Sequence, residues 1–176
     1  GTVFVRHEIL PRHDMLRIGF TMSLKRDLSC LTWFGRGPHE NYCDRKTGSP
    51  VGIYTADVCE LGHSYMRPQE NGNRTDVRWL EISKQSGSGL MITGSLFNFS
   101  AWPYSQDALL KAQHRHELKA QNFITVNVDY MQCGVGGDFP GVAKLHKPYK
   151  IHKGTSYVFE YAISQKTNFE NSEESN

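Results

Sequence analysis

Apolar residues at every second position recur along this chain, and that period allows little besides β-strands. Between Met15 and Leu24, one parity holds Leu16, Ile18, Phe20, Met22 and Leu24, and the other holds Arg17, Gly19, Thr21 and Ser23. Side chains in a strand point alternately to its two faces, so this pattern predicts a strand with one face buried. Asn122–Gln132 repeats it, with Ile124, Val126, Val128 and Tyr130 against Thr125, Asn127 and Asp129. Thr155–Ile163 repeats it again through Tyr157, Phe159, Tyr161 and Ile163. Thr2–Ile9, Leu28–Phe34, the four residues from Val51 to Tyr54, Arg74–Ser83, Gly89–Gly94 and Leu96–Trp102 read as further strands, with a glycine-rich hairpin turn at 85–89. One segment reads as a helix. Ser105 is its N-cap, Gln106 and Asp107 fill the first turn, Ala108, Leu109, Leu110 and Ala112 follow, and it ends near His114-Arg115-His116. The expected class is all-β and antiparallel with one short helix, as a single domain over residues 1–166 and a disordered polar, acidic tail over 167–176.

Charge and length narrow the function. A chain of 176 residues can bury a sizeable core. Its net charge is +2 and the basic residues are dispersed, which argues against nucleic acid as a partner. No stretch approaches the ~20 apolar residues of a membrane helix, so no membrane partner is expected. The chain opens on Gly1 and not Met, which reads as a boundary within a longer polypeptide, and its compartment stays open. Cys30, Cys43, Cys59 and Cys133 include no C-x-x-C pair, so free, mostly buried thiols are expected.

Three polar stretches carry the candidate chemistry. From Gly35 to Gly72 the periodicity fades, and a long irregular run in a compact domain is either functional or tightly tied down. Asp44 with Arg45 or Lys46, and Arg36 with Glu40, are candidate local charge pairs there. Tyr42 and Tyr54 could stack on a sugar or belong to the core. Arg67–Trp79 joins a turn at Asn71-Gly72 to a strand, and its Asn, Glu and Arg side chains suit either backbone anchoring or the hydroxyls of a polyol. Gly134-Val135-Gly136-Gly137-Asp138 is a loop with three glycines. His114, His116 and His39 invite a metal reading, with His-x-His on a strand able to chelate, but no third ligand is placed by spacing and no metal site is expected.

These motifs resemble a known family. Trp33-Phe-Gly-Arg-Gly-Pro-His-Glu-Asn-Tyr-Cys-Asp-Arg45, Arg67-Pro-Gln-Glu-Asn-Gly72, Phe97-Asn-Phe-Ser100 with Tyr104-Ser105, His114-Arg-His116 and the 134–138 loop follow, in order, signatures of the C-terminal, small-chain region (domain 5) of bacterial family 2 glycoside hydrolases, the β-galactosidases. The resemblance runs from about Leu16 to about Ile163. It implies a galactose-mutarotase-like supersandwich of two packed sheets, incomplete here at its N-terminal side, with an exposed edge that could pair copies in a homo-oligomer. It implies a parent enzyme that hydrolyses terminal β-D-galactosyl residues with retention. The two catalytic glutamates would lie in a TIM-barrel domain of the same polypeptide, and the Mg or Na ions such enzymes use would lie in other domains, leaving no cofactor in this chain.

No acid pair stands out by spacing among Glu40, Asp44, Glu70, Asp76, Glu117, Asp129 and Asp138. The chain is therefore expected to be inactive alone and to shape one wall of the active site, with Phe139, Asp138, Glu70 and Asn71 as the substrate-facing residues. Family members carry a Trp shortly after the 134–138 loop, at the position of Gly141. Either Phe139 replaces that aromatic contact or Phe139-Pro140 simply closes the loop. The alternative function is a carbohydrate-binding module without catalysis. Mutarotase chemistry lacks its signature motifs here.

Overall fold

The computed structural model describes residues 1–136 and 145–166. Eight strands appear in chain order among them: β1 (Thr2–Ile9), β2 (Arg17–Lys25), β3 (Cys30–Arg36), β4 (Val51–Asp57), β5 (Arg74–Ser83), β6 (Gly89–Trp102), β7 (Phe123–Gln132) and β8 (Tyr157–Lys166). All pairings are antiparallel, and the order along the main path is β1-β8-β6-β5-β3-β4. The single α-helix, α1 (Gln106–Lys111), begins as its sequence requires: the Ser105 side chain accepts from the Ala108 amide at 3.1 Å.

β6 decides the architecture. The two segments Gly89–Gly94 and Leu96–Trp102 are one 14-residue strand, because β5 supports it along nearly its whole length. Its opposite edge is shared: Gly89–Gly94 pairs with β8, and Asn98–Trp102 pairs with β7. β2 then pairs with β7. The β7–β2 arm folds over the β8 arm, so that Phe20 of β2 stacks on Tyr161 of β8 with ring centroids 4.6 Å apart. The two layers of the sandwich are thus branches of one hydrogen-bonded sheet.

The core lies between them. Leu31, Trp33, Val77, Leu80, Ile82, Ile92, Phe97, Phe99, Ile124, Val126, Val128 and Phe159 form one buried cluster, and Phe20, Met22 and Leu24 pack against it. Ile18, Phe20, Met22 and Leu24 face inward as the alternation predicts, whereas Leu16 precedes the strand and is exposed. β7 departs from a half-buried reading. Its polar parity is buried too, and side chains of the neighbouring β2 and β6 meet its polar groups. There Thr21 donates to Asn127 at 2.7 Å, and Asn127 donates to Ser100 at 3.0 Å.

Each outer strand of the main path shows apolar side chains to solvent: Val3 and Phe4 on β1, and Val51 and Ile53 on β4. The His-x-His motif is not on a strand. Arg115–Glu117 is a 3₁₀ turn, and the exposed rings of His114 and His116 stack on each other at 5.6 Å. The cysteines are free, but they are less buried than expected: Cys59 is exposed, and the other three are half-buried. No helix among the described residues is long and apolar enough to cross a membrane.

Candidate functional site

The irregular stretch between β3 and β5 is tied down by side chains, and its charge pairs are not local. Arg36 bonds Asp76, not Glu40, and also donates to the carbonyls of Lys46 and Ser49. Lys46 joins Asp76 at 2.9 Å. The two cations hold Asp76 at φ 55°, a left-handed conformation that Asp tolerates better than most residues, inside a bulge of β5. Asn41 accepts from both the amide and the hydroxyl of Thr75. Asp44 reaches across the fold to the Gly136 amide at 2.8 Å. Tyr42 is buried, and Tyr54 packs against Trp33, which settles both for the core.

Beside these clamps, residues of β2, β7 and the 67–72 loop form a part-buried ionic cluster. Arg17, at the start of β2, donates through Nε to Asp129 Oδ1 at 3.2 Å and through Nη2 to Oδ2. It also reaches Glu70 at 3.3 Å. Gly19 makes this possible. A Cβ there would sit 2.3 Å from Asp129 Oδ1, so only glycine lets the carboxylate lie against β2. Gly134 has the same function beneath Asp44, where a Cβ would meet Oδ2 at 2.5 Å.

Burial sets the electrostatics. It raises the Glu70 carboxyl above its ordinary value, with Arg17 and Gln132 pulling the other way. Asp129 is likewise raised by burial and opposed by Arg17. Burial, together with Glu40 and Glu70, pushes the Tyr42 phenol up, so it stays protonated. Among the described residues, four buried atoms here have no hydrogen-bond partner: Glu70 Oε1, Asp44 Oδ1, Gln132 Oε1 and the Tyr42 hydroxyl. Such groups are costly unless water or a ligand meets them, and their grouping around Arg17 makes this cluster a candidate site.

Of the residues expected to face substrate, Glu70 belongs to this cluster. Asn71 is 2% exposed, and its side chain is taken up locally: it accepts from the His63 amide at 3.0 Å and donates to the Gln69 carbonyl at 2.7 Å. Asp138 and Phe139, Gly141 with them, and the tail at 167–176 lie outside the described residues. Arg17 was not singled out by sequence, and Asp129 stood there only as one of seven acid candidates. The one available signal was Asp129 on a strand whose every other residue suits burial. Among the described residues no three His, Cys, Asp or Glu side chains are grouped to hold a metal ion.

The family model described as "Beta galactosidase small chain" matches residues 1–163. The chain belongs to the β-galactosidase small-chain family. It is 41% identical to a β-galactosidase of Priestia megaterium over 167 residues, which is 93% of this chain and 16% of that protein. A Vibrio cholerae β-galactosidase is also 41% identical, over 84% of this chain and 14% of its own length. One from Pseudoalteromonas haloplanktis is 38% identical over the same shares. The chain thus spans about a sixth or less of these relatives.

The raised Glu70 pKa has a testable sign. A carboxyl raised in the folded state binds more protons there than in the unfolded chain, so its ionisation weakens the fold as pH rises through the folded value. Glu70→Gln removes that ionisation. The stability of the variant relative to wild type is expected to be higher at pH 7 than near pH 4.5, as read from urea midpoints at both pH values. A difference that is flat or grows on acidification would disprove it.

Proposed function

We propose that this chain is the C-terminal wall module of a β-galactosidase that hydrolyses terminal β-D-galactosyl residues, and that it contributes no catalytic carboxylate. The observation that carries the reading is the coverage: nearly the whole chain matches β-galactosidases, yet it represents about a sixth or less of them. A retaining glycosidase needs two carboxyl groups about 5 Å apart, one free to attack the sugar. Glu70 and Asp129 share Arg17 and so lie near each other, but Asp129 is 2% exposed and bonded through both oxygens. It is closed to a sugar. Glu40, Asp44 and Asp76 each take part in a clamp to a distant segment, at the Gly72 amide, the Gly136 amide and the Lys46 ammonium.

On this reading the catalytic glutamates, the TIM barrel and any metal ions belong to the remainder of the parent enzyme. The substrate-facing residues of the module are then those that the family resemblance implies, Asp138, Phe139, Glu70 and Asn71. The apolar side chains on β1 and β4 would pack on the rest of the polypeptide or on a second subunit. The test is an assay of the purified chain with a chromogenic β-galactoside, and the expected result is turnover no greater than buffer. Activity that survives purification and disappears in Glu70→Gln would overturn the reading.

A further inference from the structure

A cleft opens between the 39–40 segment, the 60–65 segment and Arg74. It has a volume of about 380 Å³ and is lined by His39, Glu40, Glu60, His63, Tyr65 and Arg74, together with Leu61 and Gly62. That is within the range, about 300–1,000 Å³, of clefts that hold small molecules. Its groups are preorganised. Glu40 accepts from the Tyr65 hydroxyl with one oxygen and from the Gly72 amide at 2.7 Å with the other. A carboxylate has about four acceptor positions, so each oxygen can accept again. The His63 ring meets Tyr65 edge-on at 4.4 Å and fixes the phenol face. Arg74 is 4% exposed and bridges the carbonyls of Leu61, Gly72 and Pro38. Its Nε is buried without a partner among the described residues. The exposed imidazoles of His39 and His63 make no hydrogen bond among the described residues, and each offers a donor and an acceptor.

The mixture of charges limits the ligand. Glu40 and Glu60 disfavour an anion, and the buried Arg74 guanidinium disfavours a cation. What remains is a neutral molecule rich in groups that both donate and accept, with an apolar face for the Tyr65 ring. A pyranose has both. We propose that this cleft is a binding site for one neutral pyranose ring, which stacks on Tyr65 and hydrogen-bonds to Glu40, His39 and His63. The site requires no hydrolysis, so it stands or falls independently of the catalytic role of the parent enzyme.

The test is an NMR titration of the 176-residue chain with methyl β-D-galactopyranoside, following the imidazole and Tyr65 ring resonances, with glycerol as a polyol that has no ring face. The expected result is saturable shifts of His39, His63 and Tyr65 with a Kd on the order of 1 mM, and none with glycerol. Tyr65→Ala should abolish the shifts. Because Tyr65 also supports Glu40, His39→Ala and His63→Ala are the decisive variants: both residues are exposed, their side chains hold no fold-building hydrogen bond, and each change should weaken binding about fivefold. The proposal is overturned if the sugar leaves these resonances unmoved well above that concentration, or if both histidine variants titrate like wild type.

Discussion

Replacing Asp129 with Ala is expected to lower the unfolding free energy by about 3 kcal/mol, the low end of the range for removing one partner of a buried ion pair. Asp129 is 2% exposed and holds Arg17 through both carboxylate oxygens. Without it, Arg17 keeps the 3.3 Å contact to Glu70, and its side chain, 23% exposed, recovers some water. That places the loss at the low end. The remainder arises because Arg17 stays pinned between β2 and the 67–72 loop with most of its charge unmatched. Asp129→Asn keeps a hydrogen-bond acceptor and should cost about half as much. Urea unfolding of the three proteins under identical conditions measures both losses, and an Ala loss below about 1 kcal/mol would mean that the pair does not hold this layer together. Removing both charges together, as Arg17→Met with Asp129→Leu, should recover most of the stability, since an apolar pair need not be desolvated.

Trp102→Ala is expected to cost about 3–5 kcal/mol, the usual range for deleting a large aromatic from a packed core. Trp102 is fully buried at the end of β6, and its Nε1 donates to the Asn71 carbonyl at 3.1 Å. It therefore joins the sheet to the loop that carries Glu70. Trp102→Phe separates the two contributions. It keeps most of the ring but leaves the Asn71 carbonyl without its donor, at a cost of about 1–3 kcal/mol. Amide exchange should accelerate first at His63 and Gly72, whose amides bond to the Asn71 side chain and to Glu40. If exchange accelerates uniformly across the sheet and not first in this loop, Trp102 is only a core residue.

The clamps around Asp76 and Asp44 show why charge pairs were misjudged from sequence. Arg36 and Asp76 are far apart along the chain, and so are Asp44 and Gly136. Sequence proximity favoured Arg36 with Glu40 and Asp44 with its neighbours, but in a sheet the backbone runs straight and brings distant segments side by side. Glu40 instead turned to Tyr65 and the Gly72 amide. The motifs themselves were legible, since Trp33–Arg45 and Arg67–Gly72 are the segments that interlock. Beyond a few local bonds, such as Asn71 to the Gln69 carbonyl, what they do physically is hold one another.

The sequence by itself determined the class of fold, the strand positions and the helix start. Period-two alternation and Ser105 are local signals, and a strand or a cap needs only its immediate neighbours to form. It also determined that glycines would matter in the 134–136 loop. Only the tertiary structure decided that β6 is one strand shared by two layers, because that depends on β5 supporting it throughout. The same holds for the polar side of β7. Thr125, Asn127 and Asp129 look like a solvent face, but they are buried, with Asn127 and Asp129 bonded to side chains of β2 and β6, and Asp129 becomes an ion-pair partner only because Gly19 leaves room across the bulge. Burial is a property of what covers a residue, and what covers these comes from segments about 30 to 110 positions away in sequence.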